Sequence, residues 1–268
     1  AFYTKNFDDT ISLPGTTSMA QKGTFSDKME TGTLTDPYLY EGYAWYSKEI
    51  HLEPEDVGRE ILLYLERTRV TMVWVNDIQI GTYDSLNTPH IYNLTKAVTG
   101  QDFRLTILVA NLQKPEEGEA DPLAYPTKGG HLTSPDTQTN WNGIIGRMEL
   151  RAMNPLFIES IQAFPQVEDR SVKVKITLSS SSGIGGKKLQ LSASAFNTAK
   201  KHKARSAEYD LKEGSKEYEF TYQLGDNAVL WSDLQPALYQ LKAEIHGIDE
   251  KTVRFGLRDF KTEETDFT

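Results

Sequence analysis

Apolar and polar residues alternate along most of this chain. Tyr46, Lys48, Ile50 and Leu52 share one parity, and Trp45, Ser47, Glu49 and His51 share the other. Phe103, Leu105, Ile107 and Val109 alternate with Arg104, Thr106 and Leu108, and Ile61, Leu63 and Leu65 form a further run closed by Glu66. A period of two sustained over six or more residues marks a strand with one face in a core and one in water. In Met72-Val73-Trp74-Val75-Asn76-Asp77-Ile78-Gln79-Ile80-Gly81 the apolar run breaks at Asn76-Asp77. That break predicts a tight hairpin whose second strand ends at Gly81. Only residues 54–57 and 94–98 read as helical, and each is too short to stand as an independent helix.

Residues 111–143 interrupt the pattern with Pro115, Pro122, Pro126, Pro135, Gly118, Gly129 and Gly130. Irregular excursions of that length inside a domain are usually functional or disordered. The closing part, residues 137–146, is rich in Asn, Gln and Trp, which favours order. Asn154-Pro155 then opens a new series. Val172, Val174, Ile176 and Leu178 alternate with Lys173, Lys175 and Thr177; Leu189 to Ala195, Tyr218 to Leu224 and Tyr239 to Ile245 follow the same rule. Four alternating strands separated by turns such as Ser182-Gly183-Ile184-Gly185-Gly186 predict a small immunoglobulin-like sandwich. The expected organisation is one domain over residues 1–152 and a second over 153–262, with 263–268 beginning a linker.

Length and composition fit this picture. At 268 residues the chain is expected to hold about two domains. An apolar fraction of 38% suits sheets with one solvated face. A net charge of -9 argues against nucleic acid or an anionic membrane surface as the main partner, since both call for a basic patch. There is no cysteine, which excludes disulfides, thiolate zinc sites and a thiol nucleophile. No apolar run approaches the ~18–20 residues of a membrane helix. The start at Ala1-Phe2-Tyr3, without Met, is the start expected if an upstream segment has been removed.

Enzyme signatures are scarce. There is no His-Glu-x-x-His, no Walker loop and no Gly-x-Ser-x-Gly, and Gly183-Ile184-Gly185 is followed by no helix that could hold a phosphate. The five histidines are scattered without ligand spacing, so His90 and His131 read as hydrogen-bonded structural residues. No metal site and no cofactor are expected. Asn93-Leu94-Thr95 fits a glycosylation sequon, a triplet that chance often produces. Glycoside hydrolysis needs two carboxylates flanking the sugar. Asp136 has no evident partner, and Glu116, Glu117, Glu119 and Asp121 read as a solvated acidic face. Sugar binding is a different possibility, because flat rings cover the C–H faces of a sugar while polar neighbours bond its hydroxyls. Trp141, among Gln138, Asn140 and Asn142, has that composition. The competing reading, favoured on residue types alone, packs Trp141 on the sandwich and uses the amides on loop backbone. Trp45, Trp74 and Trp231 fall in strand or strand-edge patterns and read as core.

The ordered set Leu13-Pro14-Gly15-Thr16-Thr17, Gly42-Tyr43-Ala44-Trp45-Tyr46-Ser47-Lys48-Glu49-Ile50, Val73-Trp74-Val75-Asn76, Ser85-Leu86-Asn87-Thr88-Pro89-His90 and Thr137-Gln138-Thr139-Asn140-Trp141-Asn142-Gly143-Ile144-Ile145-Gly146 resembles the N-terminal sugar-binding domain of family 2 glycoside hydrolases. That family includes β-galactosidases, β-glucuronidases and β-mannosidases. In the second half, Leu230-Trp231-Ser232-Asp233-Leu234-Gln235-Pro236-Ala237-Leu238-Tyr239 and Phe255-Gly256-Leu257-Arg258 are similar to the strand entry and exit of the family's immunoglobulin-like domain. The resemblance implies an all-β chain: a galactose-binding-like jelly-roll sandwich, then an immunoglobulin-like sandwich. It also implies that the catalytic glutamates belong to a (β/α)8 barrel that follows, and this chain has no Asn-Glu pair to supply the acid. No catalytic residue is therefore expected here, and these residues alone are not expected to hydrolyse a glycoside.

In the family, the loop before the last jelly-roll strand reaches toward the barrel's active site. Carried over by position it is residues 136–142, so Asp136, Gln138, Asn140, Trp141 and Asn142 are the expected substrate-binding residues. Where some relatives have an acid ahead of the loop Trp, this chain has Thr139-Asn140. The expected role is a non-catalytic front portion of an enzyme acting on β-glycosides in carbohydrate catabolism, meeting its carbohydrate substrate through the barrel. The family's habit implies export to the periplasm or outside the cell and leaves room for a homo-oligomer of the longer enzyme. The alternatives are a free-standing carbohydrate-binding module, which needs an exposed aromatic platform, and a structural interaction protein of two sandwiches.

Overall fold

The computed structural model describes residues 2–29, 31, 34–113, 118–119, 121–124, 139–181, 183–259, 262–263 and 266–267. The chain divides into two compact units, Ala1–Ala152 and Met153–Thr268. Asp136, Gln138 and His131 lie outside the described residues.

The first unit is built on seven strands of four or more residues: β1 (Tyr43–His51), β2 (Glu60–Leu65), β3 (Val70–Val75), β4 (Ile78–Tyr83), β5 (His90–Asn93), β6 (Asp102–Ala110) and β7 (Met148–Met153). They form a four-stranded sheet in the order β1-β6-β3-β4 and a three-stranded sheet in the order β7-β2-β5. The alternation read from the sequence decides which residues meet between the sheets. Leu63 and Leu65 of β2, Val73 and Val75 of β3, and Phe103, Leu105, Ile107 and Val109 of β6 share one core, each 4% exposed or less. Adjacent strands thus present one parity inward, as a pleated sheet requires.

The hairpin turns where expected. Asn76 takes the left-handed conformation, φ 53°, which asparagine tolerates better than most residues. Its side chain accepts from the Arg104 backbone N–H at 2.9 Å while its own N–H donates to the Arg104 carbonyl at 2.8 Å. The second strand runs on to Tyr83 instead of ending at Gly81. A bulge between Val73 and Trp74 shifts the pairing and carries the ladder past the glycine. Of the two helical pieces, residues 54–56 form one 3-10 turn and 94–98 a hydrogen-bonded turn closed by Val98 N–H to Leu94 C=O at 3.0 Å.

The second unit holds β8 (Leu156–Gln166), β9 (Ser171–Ser180), β10 (Lys188–Ala195), β11 (Ala207–Asp210), β12 (Glu217–Gln223), β13 (Tyr239–Ile245) and β14 (Asp249–Phe255). The sheets run β8-β9-β12 and β11-β10-β13-β14. That seven-strand arrangement, three against four, is an immunoglobulin-like sandwich. Val172, Val174, Ile176 and Leu178 meet Leu189, Leu191, Leu241, Ala243 and Ile245, all 1% exposed or less. Tyr239, at the entry of β13, is buried. Its hydroxyl accepts from the Val229 N–H at 2.9 Å and bonds His202 Nδ1 at 2.7 Å, which ties the strand entry to the turn ahead of it.

Trp231 does not join this core. It is half-exposed in a segment without strand structure, lying against Gly256, with the Arg258 guanidinium over its ring at 4.4 Å. A Cβ on Gly256 would come within 2.8 Å of the indole, so the glycine makes room for the ring. Trp45 and Trp74 do pack together, with ring centroids 5.2 Å apart, beside Val70, Leu108 and Ala110.

Candidate functional site

The long excursion leaves the sheet at the end of β6 and returns ahead of β7, and a polar junction closes its base. Asn111, the first residue after β6, is completely buried. A primary amide can donate two hydrogen bonds and accept two at its oxygen. Asn111 uses all four. Its Nδ2 donates to the Tyr40 carbonyl at 2.7 Å and to the Asn140 carbonyl at 3.0 Å. Its Oδ1 accepts from the Gly42 N–H at 2.9 Å and from Asn142 Nδ2 at 3.1 Å. Asn140 Nδ2 donates in return to the Asn111 carbonyl at 3.0 Å. The two limbs of the excursion are therefore held by hydrogen bonds from side-chain amides that cross between them.

Asn142 is also completely buried. Its Nδ2 reaches the Val109 carbonyl at 3.1 Å as well as Asn111, and its Oδ1 faces the Tyr46 hydroxyl at 3.5 Å. Burial pushes the Tyr46 phenol up to about 12, so it stays a neutral donor at any physiological pH. The Asn142 carbonyl accepts from the Thr17 N–H at 2.9 Å. Next along the chain, Gly143 has φ 141°, and a Cβ there would lie 2.3 Å from the Gly15 carbonyl oxygen. Only glycine lets the returning limb come this close to residues 15–16.

Trp141 is half-buried. The Arg69 guanidinium lies 4.3 Å from its ring centroid, within the range of a cation–π contact. Arg69 is itself 3% exposed and donates to the Trp141 carbonyl at 3.1 Å and the Thr139 carbonyl at 3.4 Å. A cation at that depth is placed there to hold backbone. Asn140, Trp141 and Asn142 thus take distinct parts at the base of the excursion. Asn142 fixes the backbone from inside, Asn140 bridges the limbs, and Trp141 alone offers a partly exposed ring. Asn111 and Arg69 were not among the expected residues. Each carries a faint signal: a polar residue at the end of a nine-residue apolar strand, and a cation at the start of another.

His90 is a second buried polar centre. Its Nε2 faces the Ser85 carbonyl at 2.7 Å, which makes that nitrogen the protonated one. Its Nδ1 then accepts from Thr71 Oγ1 at 2.6 Å, and the Tyr92 hydroxyl donates to the Thr71 carbonyl at 3.0 Å. Burial lowers the imidazole pKa, partly offset by the Ser85 carbonyl and Asp84. His90 is accordingly a structural residue. Asn93, in the sequon, donates to Glu60 Oε2 at 3.1 Å. Among the described residues no cluster of three or more His, Asp or Glu is arranged to hold a metal ion.

Residues 156–258 match the family described as Glycosyl hydrolases family 2. A β-glucuronidase of Paenibacillus borealis is 24% identical over 272 residues, covering 95% of this chain and 42% of that protein. Among solved structures, a β-glucuronidase of Lactobacillus rhamnosus superposes with a TM-score of 0.65 at 18% identity, over 100% of this chain and 42% of that one. A β-glucuronidase from Ruminococcus gnavus in complex with D-glucaro 1,5-lactone gives 0.65 at 17%, over 99% and 43%. The chain thus spans less than half the length of these relatives, and the structural likeness establishes the fold they share.

Proposed function

We propose that this chain belongs to the glycosyl hydrolases of family 2, whose model matches residues 156–258, and that it is the non-catalytic front of a longer enzyme that cleaves β-glucuronides. The acid pair belongs to the part of that enzyme outside these 268 residues. The residues described here serve as a scaffold, and they lend a loop to the substrate side of the reaction centre. The observation that carries this reading is the junction at the base of residues 111–143. Asn111, Asn142 and Arg69 spend buried hydrogen bonds on fixing a backbone that presents a half-exposed Trp141. A rigid base under a loop is what presentation of a contact to a substrate requires. Asp136 and Gln138 lie on the same loop and are proposed to reach the sugar beside Trp141. Asn142 supports the loop from within, and Asn140 joins both tasks.

The test uses the longer enzyme. With 4-nitrophenyl β-D-glucuronide as substrate, Trp141→Ala should lower kcat/KM by about 3- to 10-fold, the scale of one lost aromatic contact of roughly 0.5–1.5 kcal/mol. An unchanged kcat/KM overturns the role of the loop. A longer enzyme that leaves this glycoside intact overturns the substrate class. Secretion to the periplasm or cell exterior belongs to the same proposal; it is tested by fractionating cells that express the natural gene.

A further inference from the structure

The chain is acidic overall, with a net charge of -9, yet residues 170–207 hold nine Lys or Arg and no Asp or Glu. Within that stretch, Lys200-Lys201-His202-Lys203-Ala204-Arg205 packs four cations into six residues. The structure lays this segment along one edge of the second unit. The Ala195 N–H donates to the His202 carbonyl at 2.8 Å, and the Ala204 N–H donates to the Ala193 carbonyl at 2.9 Å. The segment therefore runs beside the end of β10, ahead of β11. Lys200, Lys201, Lys203 and Arg205 are all exposed, and among the described residues none of them pairs with a carboxylate. By contrast, Lys173, Lys175, Lys188 and Lys242 each meet a glutamate. Sheet register carries the patch across the outer face of β11-β10-β13-β14. Ala193, Tyr239, Leu241 and Phe255 face the core, so Ser192, Ser194, Gln240 and Arg254 face water. Lys203, Ser194, Gln240 and Arg254 stand in one row across the edge segment, β10, β13 and β14. At about 4.8 Å per strand that row is roughly 14 Å long. Phe196, on the same parity just beyond β10, is 43% exposed, and the Arg254 guanidinium lies 4.9 Å from its ring centroid. The patch has a boundary. Glu208, Glu244 and Glu250 lie further along these strands, and Lys242 is paired with the last two.

We propose that this end of the outer face is a docking surface for an anionic polysaccharide that bears uronate carboxylates. The class of partner rests on the reading that the longer enzyme cleaves β-glucuronides, because a polymer of such sugars brings one carboxylate with each uronic acid. Cations left unpaired in an acidic chain make a local positive field, and such a field draws a polyanion. Each exposed contact is weak alone, and a polymer engages several at once. The rest of the surface suits a sugar chain. Phe196 offers a flat ring to a C–H face, and Ser192, Ser194 and Gln240 offer short polar groups to hydroxyls. The row is extended and flat, which fits a chain lying across it better than a single sugar in a pocket. Nucleic acid fits less well. Its bases stack on successive aromatic side chains, and among the described residues this end of the face presents one ring, Phe196.

The test measures binding of a hyaluronan decasaccharide, whose charges are all carboxylates, to the 268-residue chain. Calorimetry is run at about 20 mM salt, where exposed charges are weakly screened. Lys200→Ser, Lys201→Ser and Lys203→Ser, made together, should weaken binding roughly ten-fold, the combined scale of three exposed ion pairs. These side chains are exposed, so the unfolding midpoint should not move. Phe196→Ala should weaken binding about three-fold, the scale of one lost ring contact. Absence of binding overturns the proposal, as does equal binding by the triple variant. Equal or tighter binding to duplex DNA or to phosphatidylserine vesicles under the same conditions also overturns it, by assigning the face to another polyanion. Hydrolysis of 4-nitrophenyl β-D-glucuronide by the longer enzyme is measured separately. Lysine-dependent binding without that hydrolysis sinks the functional reading and leaves the surface standing. Hydrolysis without polysaccharide binding sinks this proposal alone.

Discussion

Replacing Asn111 by Ala should loosen the first unit and release the base of its loop. Asn111 is completely buried, and its side chain makes four hydrogen bonds, to the Tyr40 and Asn140 carbonyls, the Gly42 N–H and the Asn142 amide. A net contribution of roughly 0.5–1.5 kcal/mol per bond brackets the loss at about 2–6 kcal/mol. The lower half applies, because Asn142 Nδ2 keeps the Val109 carbonyl as an acceptor. An expected loss of about 3 kcal/mol is a large fraction of the roughly 5–15 kcal/mol that stabilises a domain. At about 2–4 °C per kcal/mol for a domain of this size, the midpoint falls by about 6–12 °C. The assay is thermal or urea unfolding followed by tryptophan fluorescence. Trp45, Trp74 and Trp141 lie in the first unit and Trp231 in the second, so intensity reports chiefly on the first. Two units can unfold in separate transitions, and only the first should move. A loss below about 1 kcal/mol would refute the idea that this junction holds the loop.

Gly143→Ala should be at least as damaging, since its Cβ would meet the Gly15 carbonyl oxygen at 2.3 Å and Thr16 Cα at 2.8 Å. Backbone strain and overpacking of roughly 1–3 kcal/mol each set the scale, and an unfolding midpoint equal to wild type would count against the tight approach. The lowered pKa of His90 means the folded first unit binds fewer protons than the unfolded chain below the ordinary value of 6.5. Its stabilising effect is therefore present above pH 6.5 and is lost as pH falls below it, so the urea midpoint should drop between pH 7.5 and 5.5. His90→Gln should flatten that slope; an unchanged slope in the variant would assign it to other groups. Because the second unit has its own closed core, residues 153–268 expressed alone should give one cooperative thermal transition, and a transition without cooperativity would show that the unit depends on what precedes it.

The pattern of residues was enough to fix most of the strands. Val172 to Leu178 and Tyr239 to Ile245 can only be period-two strands, because each exposes one parity to water and hides the other. Asn76-Asp77 between two apolar runs likewise specifies a reversal. Other strands escaped notice for physical reasons. β8 begins with Leu156-Phe157-Ile158 all buried, then a bulge between Ile158 and Ser160 changes its parity, so no single period describes it. β14, Asp-Glu-Lys-Thr-Val-Arg-Phe, is an edge strand with Phe255 as its one buried residue, and its composition resembles a loop.

The part played by each loop residue was decided only by tertiary structure. In sequence, Asn140, Trp141 and Asn142 are three adjacent candidates of equal standing. In space Asn142 turns inward to meet Val109 and Asn111, thirty-odd residues earlier in the chain, while Trp141 lies against Arg69 from the start of another strand. A short-range code records which residues alternate. It does not record which distant carbonyl a buried amide must satisfy, because that partner is chosen when the sheets close, and the cost of an unpaired polar group then selects the one arrangement in which every amide is met.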